Sequence, residues 1–195
     1  HASLRALQLN ECSNGLAAGV NLMLTPHNGT TFAIAGLTSS LGRSHTFDVR
    51  ADGYARSEAC CTSALRQQSE VEGLSSILAD GSAVRQDGRS ASLTAPNGQA
   101  QQGLLLAALA DASMGPAALM LNEAHGTGTA LGDPIEAGSL AAAVLASREA
   151  PLAVGGIKAN IGHAEPAAGM TGLLKLCLGL EGSEAAPNAL ETCDC

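Results

Sequence analysis

Glu123-Ala-His-Gly-Thr-Gly-Thr129, continuing through Gly132-Asp-Pro-Ile-Glu136, and Lys158-Ala-Asn-Ile-Gly-His163, continuing through Ala164-Glu-Pro-Ala-Ala-Gly169, decide how this chain is read. Each follows a short apolar run, 119–123 and 152–157, whose length and composition predict a strand. Each precedes a segment with Pro in its first turn, 134–146 and 166–180, which predicts a helix. Strand, loop and helix thus occur twice in succession, the pattern of a layered α/β fold with helices packed on a sheet. In open α/β sheets the loops leaving the carboxyl ends of strands gather around ligands. His125 and His163 occupy equivalent places in the two loops, each beside glycines that let the backbone approach a ligand.

Outward from these loops, residues 1–10 read as the tail of a helix and 16–24 as a buried strand ended by Thr25-Pro26. Residues 25–58 are polar and read as irregular, long enough to suggest a functional or wrapping role. Two further strands are expected at 59–65 and 74–84, around a polar turn at 66–73. A polar loop follows at 86–98, then helical spacing over 99–112. No internal repeat or low-complexity linker is visible.

The chain has 195 residues, 46% of them apolar and 14% charged, so a buried core is expected and general disorder is not. Aromatic residues are limited to Tyr54, Phe32 and Phe47, so the core must pack small residues closely. The formal net charge is −8, without a basic run or stacking aromatics, which argues against nucleic-acid binding. No apolar run approaches the roughly 20 residues of a membrane helix, and no leader segment is visible at His1. Cys12, Cys60, Cys61, Cys177, Cys193 and Cys195 show no zinc spacing and no CxxC pair, and read as reduced packing thiols, with the last two frayed. A cytoplasmic location is the expectation.

Several chemistries compete for the first loop. Gly-x-Gly could cradle a phosphate, but no Lys follows in P-loop register. A zinc site would need further ligands at suitable spacing. Two structural histidines satisfied in tight turns is the plainest alternative. Against it stand the equivalence of the two loops and Lys158, close before His163. Two imidazoles can donate N–H bonds to one developing oxyanion while a lysine sets their electrostatics.

Residues 123–140 (EAHGTGTALGDPIEAGSL) and 155–175 (GGIKANIGHAEPAAGMTGLLK) resemble the two histidine motifs of β-ketoacyl synthases, above all the ketosynthase domains of modular polyketide synthases. The likeness extends to GLAAGVNLMLTP (15–26), GRSHTFDVRADGYARSEAC (42–60) and GSAVRQDGRSASLTAPNGQAQ (81–101). The resemblance implies a thiolase-like α-β-α-β-α fold with a mixed sheet. It implies a Cys-His-His active site for decarboxylative Claisen condensation in polyketide or fatty-acid biosynthesis. By motif position, His125, His163 and Lys158 match catalytic residues, and Thr127 and Thr129 match threonines that bind the pantetheine arm. The implied partners are an acyl carrier protein, whose phosphopantetheine carries the acyl and malonyl-type thioesters, and a second copy in a homodimer. No covalently bound cofactor and no metal are implied.

The family's nucleophile motif does not occur in this chain, so the nucleophilic Cys is expected upstream of His1; the family's closing Gly-Phe-Gly-Gly turn is absent too. An internal portion is therefore expected, with 1–45 ending the N-terminal half, 46–195 forming most of the C-terminal half, and no activity alone. Ser44 stands where the family has Cys, and Ser57-Glu-Ala-Cys60 departs from its usual RGEG. Asp133, Glu136 and Glu165 are expected as helix-start carboxylates, Lys175 as structural or solvent-facing, and His27 and His45 as loop residues. Arg85, Asp87 and Arg89 suit a solvated, internally paired loop. The rival reading is a non-catalytic ketosynthase-like domain for chain-length control or carrier docking; a thiolase-like degradative enzyme is weaker. One expectation is geometric: imidazoles sharing an oxyanion must lie within roughly 6 Å of each other, with Lys158 in the same pocket, whereas two unrelated turn histidines would face apart.

Overall fold

Parallel pairing of two short strands brings both histidine loops to one edge. The structure, a computed structural model, describes residues 1–67, 77–92 and 94–188. Strands β3 (Leu121–Glu123) and β4 (Ala153–Gly155) pair in parallel, with Leu121 opposite Ala153 and Glu123 opposite Gly155. The Ala124 N–H continues the ladder to the Gly155 carbonyl at 2.8 Å. Parallel strands require a crossover, supplied here by α4 (Gly132–Ala143).

The main apolar core lies on this pair. Leu140, Ala143 and Val144 are buried against Leu105 and Leu109 of α3 (Gly98–Asp111), with Leu119, Leu152 and Val154 around them. Helix α3 starts where the Asn97 side chain accepts N–H bonds from Gln99 and Ala100, at 3.1 and 3.2 Å, satisfying two donors that an open helix end leaves unpaired. The same side chain donates to the Asp87 and Arg89 carbonyls. The 86–98 loop is thus organised around Asn97; no Arg85–Asp87 or Arg89–Asp87 ion pair occurs among the described residues.

A second, antiparallel pair joins β1 (Asn14–Asn21) to β2 (Ala59–Arg66), Asn14 opposite Arg66 and Asn21 opposite Ala59. Helix α1 (Ala2–Gln8) packs beside it, and α6 (Ala168–Gly182) lies against both strands. Gly19 permits a close approach: a Cβ there would sit 2.9 Å from the Ala167 Cα. This contact seats the 3-10 turn Glu165–Ala167, which follows the second histidine, directly on β1.

Three expectations are corrected. Residues 25–58 are not wholly irregular: α2 spans Pro26–Ile34, with Pro in the first turn and an extended Thr25 before it. Its Gly, Asn and β-branched Thr residues conceal the helix, and the Thr30 and Thr31 hydroxyls donate to carbonyls four residues back. No strand forms over 77–84; 74–76 and 68–73 lie outside the described residues. Ser82 is held by side chains instead, its N–H donating to Asp111 Oδ2 at 2.9 Å and its carbonyl accepting from Arg5. A short helix α5 (Lys158–Ile161) occupies the second histidine segment, where the sequence indicates only a loop. Cys193 and Cys195 lie outside the described residues. No helix among the described residues is long and apolar enough to cross a membrane.

Candidate active site

His125 leaves the carboxyl end of β3 in a loop whose shape is set by α4. Glu136 accepts N–H bonds from His125 and Gly126, at 2.6 and 2.8 Å. Asp133, 3% exposed, accepts from Gly128 and Thr129 through one oxygen and from the Phe47 N–H, at 2.8 Å, through the other. Their expected role was to serve the start of their own helix. Both carboxylates instead gather the N–H groups of the 125–129 loop, a nest of donors that charge-assisted bonds hold closed. Burial pushes the Asp133 carboxyl up, and the three backbone N–H bonds oppose the rise. Thr46 donates to the Gly126 carbonyl at 2.7 Å, tying the 42–57 segment beneath the same loop. His45 is buried there, its Nδ1 3.9 Å from Asp52 Oδ1, and His27 lies in α2.

His163 follows α5 and is framed by backbone. Its N–H donates to the Ala55 carbonyl at 2.6 Å, and its carbonyl accepts from Ser57 at 3.0 Å. Its ring packs edge-on against Tyr54, centroids 4.8 Å apart. Nδ1 accepts the Glu165 N–H at 3.0 Å, so in the neutral ring the proton sits on Nε2. The His125 and His163 rings lie 5.4 Å apart between centroids, at 88°. That is within the separation expected of two donors to one oxygen, not the divergence of unrelated turn histidines.

Lys158, 3% exposed, donates from Nζ to the His125 carbonyl. Burial pulls its ammonium down, opposed by Glu136, Glu123 and Asp133. Both imidazoles are pulled down to about 4, first by lost hydration and next by the Lys158 charge. The His125 ring opens to solvent, which limits the first cause there. Thr127 and Thr129, their hydroxyls 3.2 Å apart, line an open cleft of about 420 Å³ with His125, Leu104 and Leu105. His163 is not part of that cleft's lining, nor is any cysteine.

Residues with weaker signals in the sequence complete the frame. Glu123, two positions before His125, accepts the Ile157 N–H at 2.5 Å and pairs with Lys175 of α6 at 2.8 Å, the carboxylate buried and the lysine partly so. One carboxylate thus joins β3, the start of α5 and α6. An acid placed so close to the histidine motif was the available signal. The ammonium lies in an apolar helix, where nothing in the sequence names its partner.

Two histidines on adjacent loops at the carboxyl edge of a parallel strand pair, in a layered α/β chain, define the class. Residues 1–70 match "Beta-ketoacyl synthase, N-terminal domain" and residues 76–190 match "Beta-ketoacyl synthase, C-terminal domain". The chain belongs to the beta-ketoacyl synthase family. It is similar to an oxazolomycin ketosynthase domain from Streptomyces albus, with a TM-score of 0.92 and 34% identity, covering 96% of this chain and 34% of that one. It is also similar to the ketosynthase from module 6 of the bacillaene synthase of Bacillus subtilis, with a TM-score of 0.88 and 30% identity, covering 98% and 36%. The thiolase-like fold expected from the motifs is therefore the fold observed. Among curated proteins, a phenolphthiocerol/phthiocerol polyketide synthase chain of Mycobacterium tuberculosis is 40% identical over 96% of this chain and 10% of its own length. Erythronolide synthase of Saccharopolyspora erythraea is 43% identical over 92% of this chain and 5% of its own. The chain spans a tenth or less of these curated relatives.

Proposed function

We propose that this chain supplies the two-histidine part of the active site of a polyketide-synthase ketosynthase domain, which catalyses decarboxylative condensation. The observation that carries the reading is the pair of imidazoles 5.4 Å apart with the buried Lys158 beside them. A malonyl-type thioester on a carrier protein's phosphopantetheine arm enters past Thr127 and Thr129. The bond between its α-carbon and its carboxylate breaks, carbon dioxide leaves, and the electron pair forms an enolate on the thioester. The His163 Nε2–H and the His125 ring donate to the enolate oxygen, and such preorganised donors stabilise charge as it develops. The enolate carbon then attacks an acyl thioester on a cysteine outside this chain. That cysteine leaves as thiolate, and the β-ketoacyl product remains on the carrier. The test is decarboxylation of a malonyl thioester and condensation by the intact domain carrying this segment. Decarboxylation without condensation would point to a domain that only decarboxylates, and loss of both steps would point to the non-catalytic domain for chain-length control or carrier docking.

Protonating His163 would turn its Nδ1 from the acceptor of the Glu165 N–H into a donor facing it, which fixes the pH dependence. With His163 held at about 4 and His125 pulled below its ordinary value, decarboxylation should stay level as pH falls through 6.5 and decline toward 4. Lys158→Met removes a charge that opposes imidazolium formation. Its acid limb should move upward yet stay below 6.5, because burial remains. An unchanged limb in a rate profile from pH 4 to 8 would sink this role for Lys158. The unfolded chain takes up two protons between 6.5 and 4 that the folded chain refuses, so stability is full above 6.5 and declines across that window.

The homodimer belongs to the same proposal. One edge of β1 pairs with β2; the other has no strand among the described residues, and Leu16 on β1 is 69% exposed. The intact domain should sediment as a dimer at micromolar concentration, and a monomer would count against the pairing.

A further inference from the structure

Glu165 holds a backbone conformation that its residue type does not favour, with φ at +43°. A non-glycine residue in the left-handed region needs something to keep it there. Pro166, next in the chain, biases residue 165 toward extended backbone, so an unrestrained residue would leave this conformation. The restraint comes from Arg56. Its Nε lies 2.7 Å from Glu165 Oε1 and its Nη2 3.3 Å from Oε2, with both side chains largely shielded. Such bidentate, charge-assisted pairs fix geometry as well as contribute energy. Arg56 is itself anchored: its guanidinium sits 5.0 Å over the Phe32 ring. Its neighbours Ala55 and Ser57 carry the two backbone bonds that frame His163.

We propose that Arg56 and Glu165 are positioning residues for His163. Their ion pair holds Glu165 in the left-handed conformation, which aims the Glu165 N–H at His163 Nδ1 and thereby fixes the Nε2–H tautomer. The inference rests on reading His163 as an oxyanion donor, a role only an Nε2–H directed into the site can fill. The Glu165 carboxylate takes no part in proton transfer; it acts through the backbone of its own residue. That separates it from a general base, because glycine, with no Cβ, holds the same backbone at much lower cost.

The experiment uses the intact ketosynthase domain carrying this segment, with malonyl-thioester decarboxylation and the ¹⁵N shifts of labelled histidine as readouts. Glu165→Ala should lower kcat about tenfold with little change in KM, the size expected from releasing a left-handed residue. His163 should then show a mixture of tautomers. Glu165→Gly should retain activity within about threefold and keep the Nε2–H signal. Arg56→Gln should cost about tenfold in the native background and add nothing further to Glu165→Gly. If Glu165→Ala fails to fold, the comparison of Arg56→Gln with and without Glu165→Gly decides alone. Equal loss in Glu165→Gly and Glu165→Ala, or an unchanged tautomer in Arg56→Gln, would overturn the proposal. If His163→Ala keeps full decarboxylation, the oxyanion reading fails, while the ¹⁵N shifts still report whether the clamp sets the tautomer.

Discussion

Replacing His163 by alanine in the intact domain should lower malonyl-thioester decarboxylation by about 10²–10³-fold, the loss associated with one preorganised oxyanion donor. His125→Ala should fall in the same range. The double variant should lose less than the product of the two, because donors to one oxygen act as a unit. Acyl transfer onto the nucleophilic cysteine should survive in both single variants, since that step does not build the enolate. The fold should survive as well: His163 enters its frame through backbone bonds to Ala55 and Ser57, which alanine keeps. Residues 1–195 produced alone should form no carbon–carbon bond. Val144 is the largest fully buried side chain among the described residues, while Leu24, Ile34 and Met120 are each 82% exposed. Apolar exposure on that scale leaves a chain with little core of its own to hold the site. Full decarboxylation without either imidazole would show that the chemistry sits on other residues.

What the sequence disclosed, and what it hid, follows from the range of the interactions. Strands 119–123 and 152–157 were legible because apolar runs bounded by turn signals depend on nearby residues. So was α3, where Asn97 caps its own helix. The convergence of His125 and His163 could be expected because parallel strands send their following loops to one edge. Hidden were the features made by distant partners. Helix α2 has a composition that disfavours helix. The left-handed Glu165 depends on Arg56, far back in the chain. Asp133 and Glu136 were legible as acids at a helix start, yet their targets were loop N–H groups rather than their own helix. Lys175 found a buried partner on another element.

Gly128→Ala should destabilise the intact domain by about 3 kcal/mol or more, from the sum of left-handed strain and overpacking against backbone. Gly128 sits at φ +79° in the first histidine loop, where an added Cβ would lie 2.6 Å from the His45 nitrogen and 3.0 Å from the Ser44 carbonyl carbon. Those atoms cannot yield as a side chain can. They belong to the 42–57 segment, which is tied to the loop by the Gly53 N–H donated to the Gly128 carbonyl at 3.0 Å and by Thr46 on Gly126. Relief therefore means lifting the loop off the segment, which breaks those bonds and pulls Gly128 away from the buried Asp133. His125 would move with it, so decarboxylation should fall together with stability. Gly138 is the control: it lies within α4 with nothing within 4 Å of a Cβ. Gly138→Ala should raise stability by up to about 1 kcal/mol, the helical preference for alanine over glycine. Chemical denaturation of both variants beside the native domain measures the difference. If Gly128→Ala unfolds at the native midpoint, the 42–57 segment is not the rigid floor on which the histidine loop rests.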